Sequence, residues 1–372
     1  MRLTFVNHRV VLIAFSLFIF SCNKSRTPPP SDPGTINHTD TSTHIYLAGF
    51  GGAISYPVYP LLWKDGLLRK IDTNGTHGSG AYCLAINDTD VYLGGFAGGG
   101  RATYWKNGSP PTFLNNGLGN GAVINKMAFN GADLYAVGYE ITTANNMSLA
   151  SVWKNGNQTY LTSVPTASAA SSILIQGADT YIAGRYTTGV LVGPAIDHPC
   201  YWKNGVVQTL PTDVTPPVVS GRVNAFITAI ALIGTDVYAC GYTSSIAGKY
   251  VATYWKNGIE IKLTDGLADA SINCIGILGN DVYMGGYQGS ASGKSIAMLW
   301  KNGNPTPLTD GTEYAGVYAI SFHGNDVYLA GNKANSDGSM STAVYWKNGT
   351  IHILPGSSPF TRGMGIEVTG GK

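Results

Sequence analysis

The pentapeptide YWKNG stands at residues 104–108, 201–205, 254–258 and 345–349. In the form Trp-Lys-(Asn/Asp)-Gly the motif occurs seven times and includes every tryptophan of the chain: Trp63, Trp105, Trp153, Trp202, Trp255, Trp300 and Trp346. A second anchor, a tyrosine followed three residues later by glycine, also occurs seven times, beginning at Tyr46, Tyr92, Tyr135, Tyr181, Tyr238, Tyr283 and Tyr328. Two anchors that recur together about every 47 residues indicate seven repeated units.

Residues 271–311 show what one unit contains. The segments SINCIGIL, DVYMGGY, SIAMLWK and NPTPL are rich in β-branched, aromatic and small residues, and Gly, Asn or Asp bounds each of them, which predicts four short strands. Gly279-Asn280 between the first two segments predicts a type II′ hairpin turn. Asn302-Gly303 between the last two predicts a type I′ turn, in which both central residues have a positive φ.

We therefore interpret the recurring Lys-Asn-Gly as the marker of the hairpin turn between the third and fourth strands of each unit. The tryptophan before it is expected to pack against the neighbouring sheet, and the lysine to lie at the solvated strand end. A functional alternative is that the seven lysines form a cationic ring.

The composition favours an all-β protein: only 12% of the 372 residues are charged, and the chain contains 49 Gly and 22 Tyr. Seven even, four-stranded units resemble the β-propellers, so residues 44–372 are expected to form seven antiparallel blades around an axis. The chain has no Trp-Asp dipeptide, no kelch double-glycine pattern and no quinone-enzyme tryptophan motif. The resemblance therefore implies an architecture and no subfamily function.

The two ends of the repeat region predict how the ring closes. The segment HIYLAGF enters the first unit at its second strand, and no first strand precedes it. The C-terminal GIEVTGGK aligns with AISFHGND of unit seven, so that Ile366 corresponds to Ile320 and Val368 to Phe322. The last strand is thus predicted to complete blade one.

The N-terminus predicts a secreted, lipid-anchored protein. Arg2 and Arg9 flank a short basic region, and the 11-residue apolar run that follows it, VVLIAFSLFIF, is too short for a stable transmembrane helix. The following Cys22 ends a segment, IFSC, that resembles the lipobox of bacterial lipoproteins. This resemblance implies a signal peptide over 1–21, an acylated (palmitate-bearing) Cys22 and a polar tether over 22–43. The alternative is a plain signal peptide with a chance cysteine.

These features predict a membrane-anchored lipoprotein of the bacterial cell envelope, in the outer membrane, that faces the periplasm or the cell surface. Only the lipid is expected to contact the membrane. Removal of residues 1–21 leaves 21 basic and 21 acidic side chains, a balance that argues against nucleic acid as a partner. A monomer is expected. Cysteines 83, 200, 240 and 274 lie in apolar strand patterns without paired short spacing, so buried free thiols are predicted, with no metal and no cofactor.

Unit four departs most from the repeat, since its predicted loops TTGVLVGPAIDHP and PTDVTPPVVSGRV are the longest. Arg185 also replaces the aromatic residue that follows the repeat glycine in five of the other six units. Because function often lies where a repeat breaks its own rule, Arg185, Asp197, His198 and Arg222 are candidate ligand-binding residues. A harmless insertion is the alternative.

A second candidate site is the mouth of the central channel. The position ten residues before the repeat tyrosine in units two to seven holds Tyr82, Asn125, Ser171, Thr228, Asn273 and Tyr318, and Met364 takes this position in the C-terminal strand of unit one. Such groups converging on an axis can hold a sugar or a peptide, although polarity at a strand start explains them equally well. Lys126 and Glu367 interrupt the small-residue face of the first strand and are expected to line the channel.

Enzyme motifs are scarce: the sequence has no G-x-S-x-G, no H-E-x-x-H and no phosphate-binding loop. The predicted function is a non-catalytic binding or scaffold module that presents its variable loop face to a glycan, a peptide or a partner protein. The alternative is a propeller enzyme that acts on a polysaccharide or similar polymer. That alternative requires an acid and a base in aligned geometry, for which the adjacent Asp197 and His198 in a predicted loop are the candidates.

Overall fold

The computed structural model describes residues 42–52, 58–75, 78–114, 120–144, 146–163, 166–189, 195–213, 224–356 and 358–370. From Ser42 onward they belong to one compact unit. The described residues form strands and turns without a helix, which confirms the all-β prediction. The proposed signal peptide, Cys22 and nearly all of the tether lie outside the described residues.

Each blade has four strands, which we call first to fourth by their order within the blade. The first strands, for blades one to seven, are β28 (Phe360–Thr369), β4 (Gly80–Asn87), β8 (Gly121–Asn130), β12 (Ala167–Gln176), β16 (Ala225–Ile233), β20 (Ala270–Leu278) and β24 (Tyr314–His323). The second strands are β1 (His44–Gly52), β5 (Asp90–Ala97), β9 (Asp133–Ile141), β13 (Asp179–Thr188), β17 (Asp236–Ser244), β21 (Asp281–Gly289) and β25 (Asp326–Ala334).

The third and fourth strands complete the blades towards the outside. The third strands are β2 (Tyr59–Lys64), β6 (Arg101–Lys106), β10 (Ser148–Lys154), β14 (Ile196–Lys203), β18 (Tyr250–Lys256), β22 (Ser295–Lys301) and β26 (Ser341–Lys347). The fourth strands are β3 (Leu67–Lys70), β7 (Thr112–Phe113), β11 (Asn157–Tyr160), β15 (Val206–Thr209), β19 (Ile259–Lys262), β23 (Asn304–Pro307) and β27 (Thr350–Ile353).

The strands of each blade pair antiparallel in the order first, second, third, fourth. The first strands of successive blades contact one another around a complete ring, because β28 packs between β24 and β4. This arrangement confirms the predicted seven-bladed propeller. The hairpin turns lie at one end of the ring, which we call the turn face. The remaining connections lie at the other end, the loop face.

Blade one is built from both ends of the repeat region, as predicted. Strand β28 pairs antiparallel with β1 from His44–Thr369 to Gly52–Phe360, and Ile366 stands opposite Leu47. A single bridge from Phe360 to Ser341 of β26 also links this sheet to blade seven. The closure therefore rests on a nine-residue ladder within blade one and one bridge to its neighbour.

The turn types match those predicted from the sequence. Gly279 has a φ of 63° at the first turn of blade six, and Asn302 and Gly303 have φ values of 51° and 84° at the second. In blade two the first turn has Asp88, with a φ of 54°, where five other blades have glycine. Aspartate tolerates this left-handed conformation better than most residues, which explains the substitution.

The Lys-Asn-Gly motif does more than shape the turn. In blade six, Asn302 Nδ2 donates to Asp281 Oδ1 (2.7 Å), and Asn302 Oδ1 accepts from the backbone N–H of Val282 (2.8 Å). Lys301 Nζ lies 2.7 Å from Asp281 Oδ2 and 5.1 Å from the ring centre of Tyr283. We call this Asp-Tyr-Lys-Asn arrangement the turn clamp. Its aspartate, two residues before the repeat tyrosine, is a partner that the sequence pattern alone did not reveal.

The turn clamp recurs in blades two to seven, where the aspartate that pairs with the lysine is Asp90, Asp133, Asp179, Asp236, Asp281 or Asp326. In blade one the polar partners are exchanged. Asp65 occupies the asparagine position and His44 the aspartate position, and their side chains meet at 2.7 Å. Six of the seven lysines are thus ion-paired, so they do not form a free cationic ring.

The core lies between the blades and is centred on the tryptophans. All seven tryptophan side chains are fully buried, at 0–1% exposure. Trp63 of blade one also donates its indole N–H to the carbonyl of Pro355 in blade seven, at 2.8 Å. The prediction that the motif tryptophan packs against the neighbouring sheet is therefore confirmed.

Candidate functional site

A β-bulge in the first strand of every blade builds the mouth of the central channel. In each blade the register with the second strand shifts by one residue, and the residue left out of the ladder is Met364, Tyr82, Asn125, Ser171, Thr228, Asn273 or Tyr318. These are the seven positions that the sequence placed at the mouth. A bulge leaves its extra residue outside the ladder and re-aims the side chain, which brings the seven together.

The bulge also explains the repeat glycine. A Cβ built on Gly286 would lie 2.0 Å from the carbonyl oxygen of Ser271, and the equivalent distance is 1.8–2.1 Å in the other six blades. Only a residue without a side chain permits this backbone approach. The Tyr-x-x-Gly anchor is therefore a signature of the bulge.

The bulge residues surround a cavity of about 510 Å³ in the channel. In blades three to six their side chains each donate a hydrogen bond to a carbonyl of the next blade: Asn125 to Ala170 (2.7 Å), Ser171 to Ile227 (2.6 Å), Thr228 to Ile272 (2.7 Å) and Asn273 to Val317 (2.7 Å). Each acceptor is the residue just before the next bulge. These four side chains therefore tie neighbouring blades together as well as lining the cavity.

The other side of the mouth, at blades seven, one and two, is formed by large side chains. Tyr318 and Met364 line the cavity beside Tyr82. The ring of Tyr82 contacts Phe50 at a centroid distance of 5.8 Å and Phe96 at 5.5 Å. The mouth is thus asymmetric, with short hydrogen-bonding side chains on one side and mainly aromatic side chains on the other.

Lys126 and Glu367, the two residues that interrupt the small-residue face, lie in first strands β8 and β28. Lys126 lines the cavity, and its side chain is half-buried. Burial raises the pKa of Glu367 above its ordinary value, while Lys126 and a contact from Ser321 act in the opposite direction. Lys126 therefore lines the channel cavity, whereas Glu367 is buried and is not among the residues that line it.

In blade four, Arg185 forms a buried ion pair. Its Nη1 lies 3.1 Å from Asp197 Oδ2, and the other carboxylate oxygen accepts a hydrogen bond from Thr187 Oγ1 at 2.6 Å. Asp197 is fully buried, whereas the Arg185 side chain is 28% exposed. Its guanidinium carbon also lies 5.3 Å from the ring centre of Phe226, a residue of the cavity wall. Arg185 is thus fixed beside the mouth.

The structure does not bring His198 together with Asp197. Both belong to strand β14 rather than to a loop, where consecutive side chains point to opposite faces. The ring of His198 stacks on Tyr186 (4.7 Å), and its Nε2 contacts Thr188 Oγ1 at 2.8 Å. Burial lowers the pKa of His198, although Asp197 opposes this. The fourth candidate of blade four, Arg222, lies outside the described residues.

A site residue that sequence reasoning missed is Arg362, two residues before the bulge of blade one. It lines a second cavity, of about 450 Å³, with Tyr287, Tyr314 and Tyr318. In the other blades this position holds uncharged residues: Gly80, Val123, Ala169, Phe226, Ser271 and Gly316. Arg362 stands out in the sequence only when the C-terminal strand is compared with the first strands of the other units. The long loops had directed the search for a site to unit four instead.

The four cysteines of the propeller are free and buried, as predicted. Burial raises the pKa of the Cys83 and Cys274 thiols to about 12, so both stay protonated and unreactive at neutral pH. Within the described ranges no cluster of His, Cys, Asp and Glu is suited to a metal ion. No helix there is long and apolar enough to cross a membrane.

Comparisons with known proteins identify the fold. No family model matches the chain, and no curated protein matches it in sequence. Among solved structures, the β-propeller domain of the trilobed protease from Pyrococcus furiosus superposes with a TM-score of 0.53 at 8% identity, over 85% of this chain and 93% of that one. A puromycin-hydrolysing peptidase from Mycobacterium tuberculosis gives 0.52 at 11% identity, over 84% of this chain and 53% of that chain.

Identities this low establish a shared fold and no shared activity. The Pyrococcus domain is described as having an open velcro topology, whereas here β28 pairs with β1 and completes blade one. On the blade count, the ring of contacts and these structural neighbours, the protein is a seven-bladed β-propeller.

Proposed function

We propose that the protein is a non-catalytic binding module that receives its ligand at the loop-face mouth of the channel. The observation that carries this proposal is the convergence of seven bulge residues on one cavity of about 510 Å³. Ligand pockets typically measure about 300–1,000 Å³ and combine apolar or aromatic walls with a few fixed polar groups. The mouth has both, since its aromatic side chains face hydrogen-bonding ones.

The polar wall is preorganised for binding. Asn125 and Asn273 each use an amide N–H to hold the next blade, so their side chains are fixed before a ligand arrives. Binding to a fixed wall loses less conformational entropy than binding to mobile loops. A glycan or a peptide presents the alternating apolar and hydrogen-bonding groups that such a wall complements.

The test is binding of the full chain to glycan and peptide arrays. We expect at least one class to bind, and Tyr82→Leu and Tyr318→Leu to weaken that binding about tenfold or more, as loss of an aromatic contact with its hydroxyl does. Tyr345→Leu is the matched control, because Tyr345 stacks on His352 of the fourth strand, away from the channel. If nothing binds, or if the control weakens binding equally, the mouth is not a ligand site.

The envelope location belongs to the same proposal. The apolar run before Cys22 and the polar segment after it support lipid attachment, which would place the mouth in the periplasm or at the cell surface. Cys22→Ser is expected to abolish acyl labelling and to move the protein out of the membrane fraction. Cys83→Ser, which changes a buried thiol of the propeller, should leave both unchanged. Unaltered partitioning of Cys22→Ser would contradict the anchor.

A further inference from the structure

We propose that Arg362 binds the carboxylate of an acidic sugar in the cavity that blades six, seven and one form beside the channel mouth. This inference rests on the proposed binding function and extends it to the second cavity, which shares Tyr318 with the first. It starts from a cation whose buried Nε has no hydrogen-bond partner among the described residues.

Arg362 is half-buried, and its guanidinium carbon lies 5.0 Å from the ring centre of Phe360. Its Nε is buried and has no hydrogen-bond partner in the described part of the chain. No described carboxylate lies within 4.0 Å of it, whereas Asp197 pairs with the mouth residue Arg185. A buried donor without a partner is costly, and the guanidinium fork matches the two oxygens of a carboxylate.

The charges around the cavity favour an anion. Asp337 is the acid in the cavity wall, and its carboxylate already accepts a hydrogen bond from the backbone N–H of Ser339, at 2.8 Å. Bonds from Ser339 and the charge of Lys294 hold the pKa of Asp337 below its ordinary value. Lys294 of blade six lies 4.5 Å from the ring centre of Tyr314. Among the described residues that line the cavity, Arg362 is therefore the one cation, and the one acid is engaged in its own turn.

The aromatic walls favour a sugar as the carrier of that carboxylate. Tyr287, Tyr314 and Tyr318 line the cavity, and Tyr314 is 37% exposed. The C–H faces of a pyranose ring pack on aromatic rings, while its hydroxyls bond to groups such as tyrosine O–H. A volume of about 450 Å³ suits one or two sugar rings.

A peptide ligand fits the same site less well. Extended peptides commonly bind by adding a strand to an open sheet edge. The inner edge of β28 is interrupted at Met364, where the register shifts between Ala48 and Gly49 of its partner. A strand laid along this edge would lose its ladder at the bulge. The geometry therefore favours the acidic sugar.

The experiment compares matched ligands on the full chain. Oligosaccharides that end in galacturonate are paired with the same oligosaccharides that end in galactose, and peptides with a free C-terminal carboxylate are paired with their amides. We expect preference for the galacturonate series, weakened by salt and reduced about tenfold or more in Arg362→Met, the loss expected for one charge-assisted bidentate contact. Arg362→Lys should retain part of the binding, because it keeps the charge without the fork.

Arg101→Met is the control, because Arg101 also lies over an aromatic ring, Phe113, and has a buried, unpartnered Nε, but does not line either cavity. It should bind as the unaltered chain does, and melting temperatures show that each variant is folded. Equal binding of the galactose series, or preference for free-carboxylate peptides, would overturn the inference while the proposed function stands. Failure of all four series would overturn the inference alone if another glycan or peptide of the arrays binds, and would overturn both if nothing on the arrays binds.

Discussion

At the scale of single residues, the bulge is the feature from which the mouth of the channel follows. It removes one residue per blade from the ladder. It also brings the carbonyl of the residue two positions before that bulge residue against the repeat glycine. The sequence predicted six of the positions from their fixed distance to the repeat tyrosine, and Met364 from the alignment of the C-terminal strand. It could not predict that four of them bond to the next blade, because their partners lie 44–56 residues further along the chain.

The glycine of the bulge gives the first prediction. Gly286→Ala should destabilise the protein by about 3 kcal/mol or more, since the added Cβ meets backbone rather than a side chain that can move. Gly316→Ala is the control, because its Cβ would lie 3.5 Å from the hydroxyl oxygen of Tyr318, an ordinary contact. Urea unfolding of both variants measures the difference. Equal midpoints would mean that the bulge relaxes without cost.

At the scale of strands and turns, the turn clamp connects the second strand of a blade to the end of the third strand and the turn that follows it. The sequence showed the Asn-Gly turn because its φ requirement is local. The aspartate of the clamp escaped prediction because it lies 20 residues before its lysine, and only antiparallel pairing of the second and third strands brings them together. Local backbone preferences could thus be predicted from the sequence, whereas side-chain partners on different strands could not.

The clamps predict an acid-sensitive stability. The ion pair with Lys301 and the hydrogen bond from Asn302 hold the pKa of Asp281 below its ordinary value of 3.8, and the same kind of partners lower that of the aspartates in the five other clamps. A lowered folded-state pKa gives stability that is present above 3.8 and lost as the pH falls through the lowered value. The midpoint of urea unfolding should therefore decrease as the pH is lowered from about 5 to about 3. Asp281→Asn should make that fall shallower, and an unchanged slope would contradict the role of the clamp.

Blade one allows the clamp to be tested by exchange. Asp65→Asn alone leaves His44 opposite an amide and should cost about 0.2 to 1 kcal/mol, the usual range for an exposed pair. The double variant His44→Asp with Asp65→Asn rebuilds the arrangement of the other six blades and should recover the loss. A double-mutant cycle from thermal unfolding measures the coupling. If the two changes simply add, the exchanged pair does not form a clamp.

At the scale of the whole molecule, closure of the ring depends on β28. The prediction came from alignment of the C-terminus with unit seven, and the observed register agrees, since Ile366 stands opposite Leu47 as Ile320 stands opposite Leu329. The additional bridge between Phe360 and Ser341 was not predicted. It depends on the curvature of the chain between blades seven and one, for which the repeat pattern has no signal.

Deletion of residues 361–372 should open the ring. Ile366 and Val368 are buried in the blade-one core, and their loss removes about 3 to 6 kcal/mol at about 1.5 to 3 kcal/mol for each side chain. We expect a lower melting temperature and binding of a dye that reports exposed apolar surface. Deletion of residues 371–372 alone, beyond the end of β28, is the control. A truncated protein that melts like the intact chain would contradict the closure.

Because blade one combines strands from both ends of the repeat region, its assembly should depend on the protein concentration during refolding. The ladder that completes this blade joins residues about 300 positions apart in the chain, so its formation carries the largest loop-closure cost of any strand pair and should come late in folding. Until then β1 offers an open edge that β28 of a second molecule fits as well as its own. Refolding at high protein concentration should therefore yield strand-exchanged dimers, and refolding at high dilution should yield monomers.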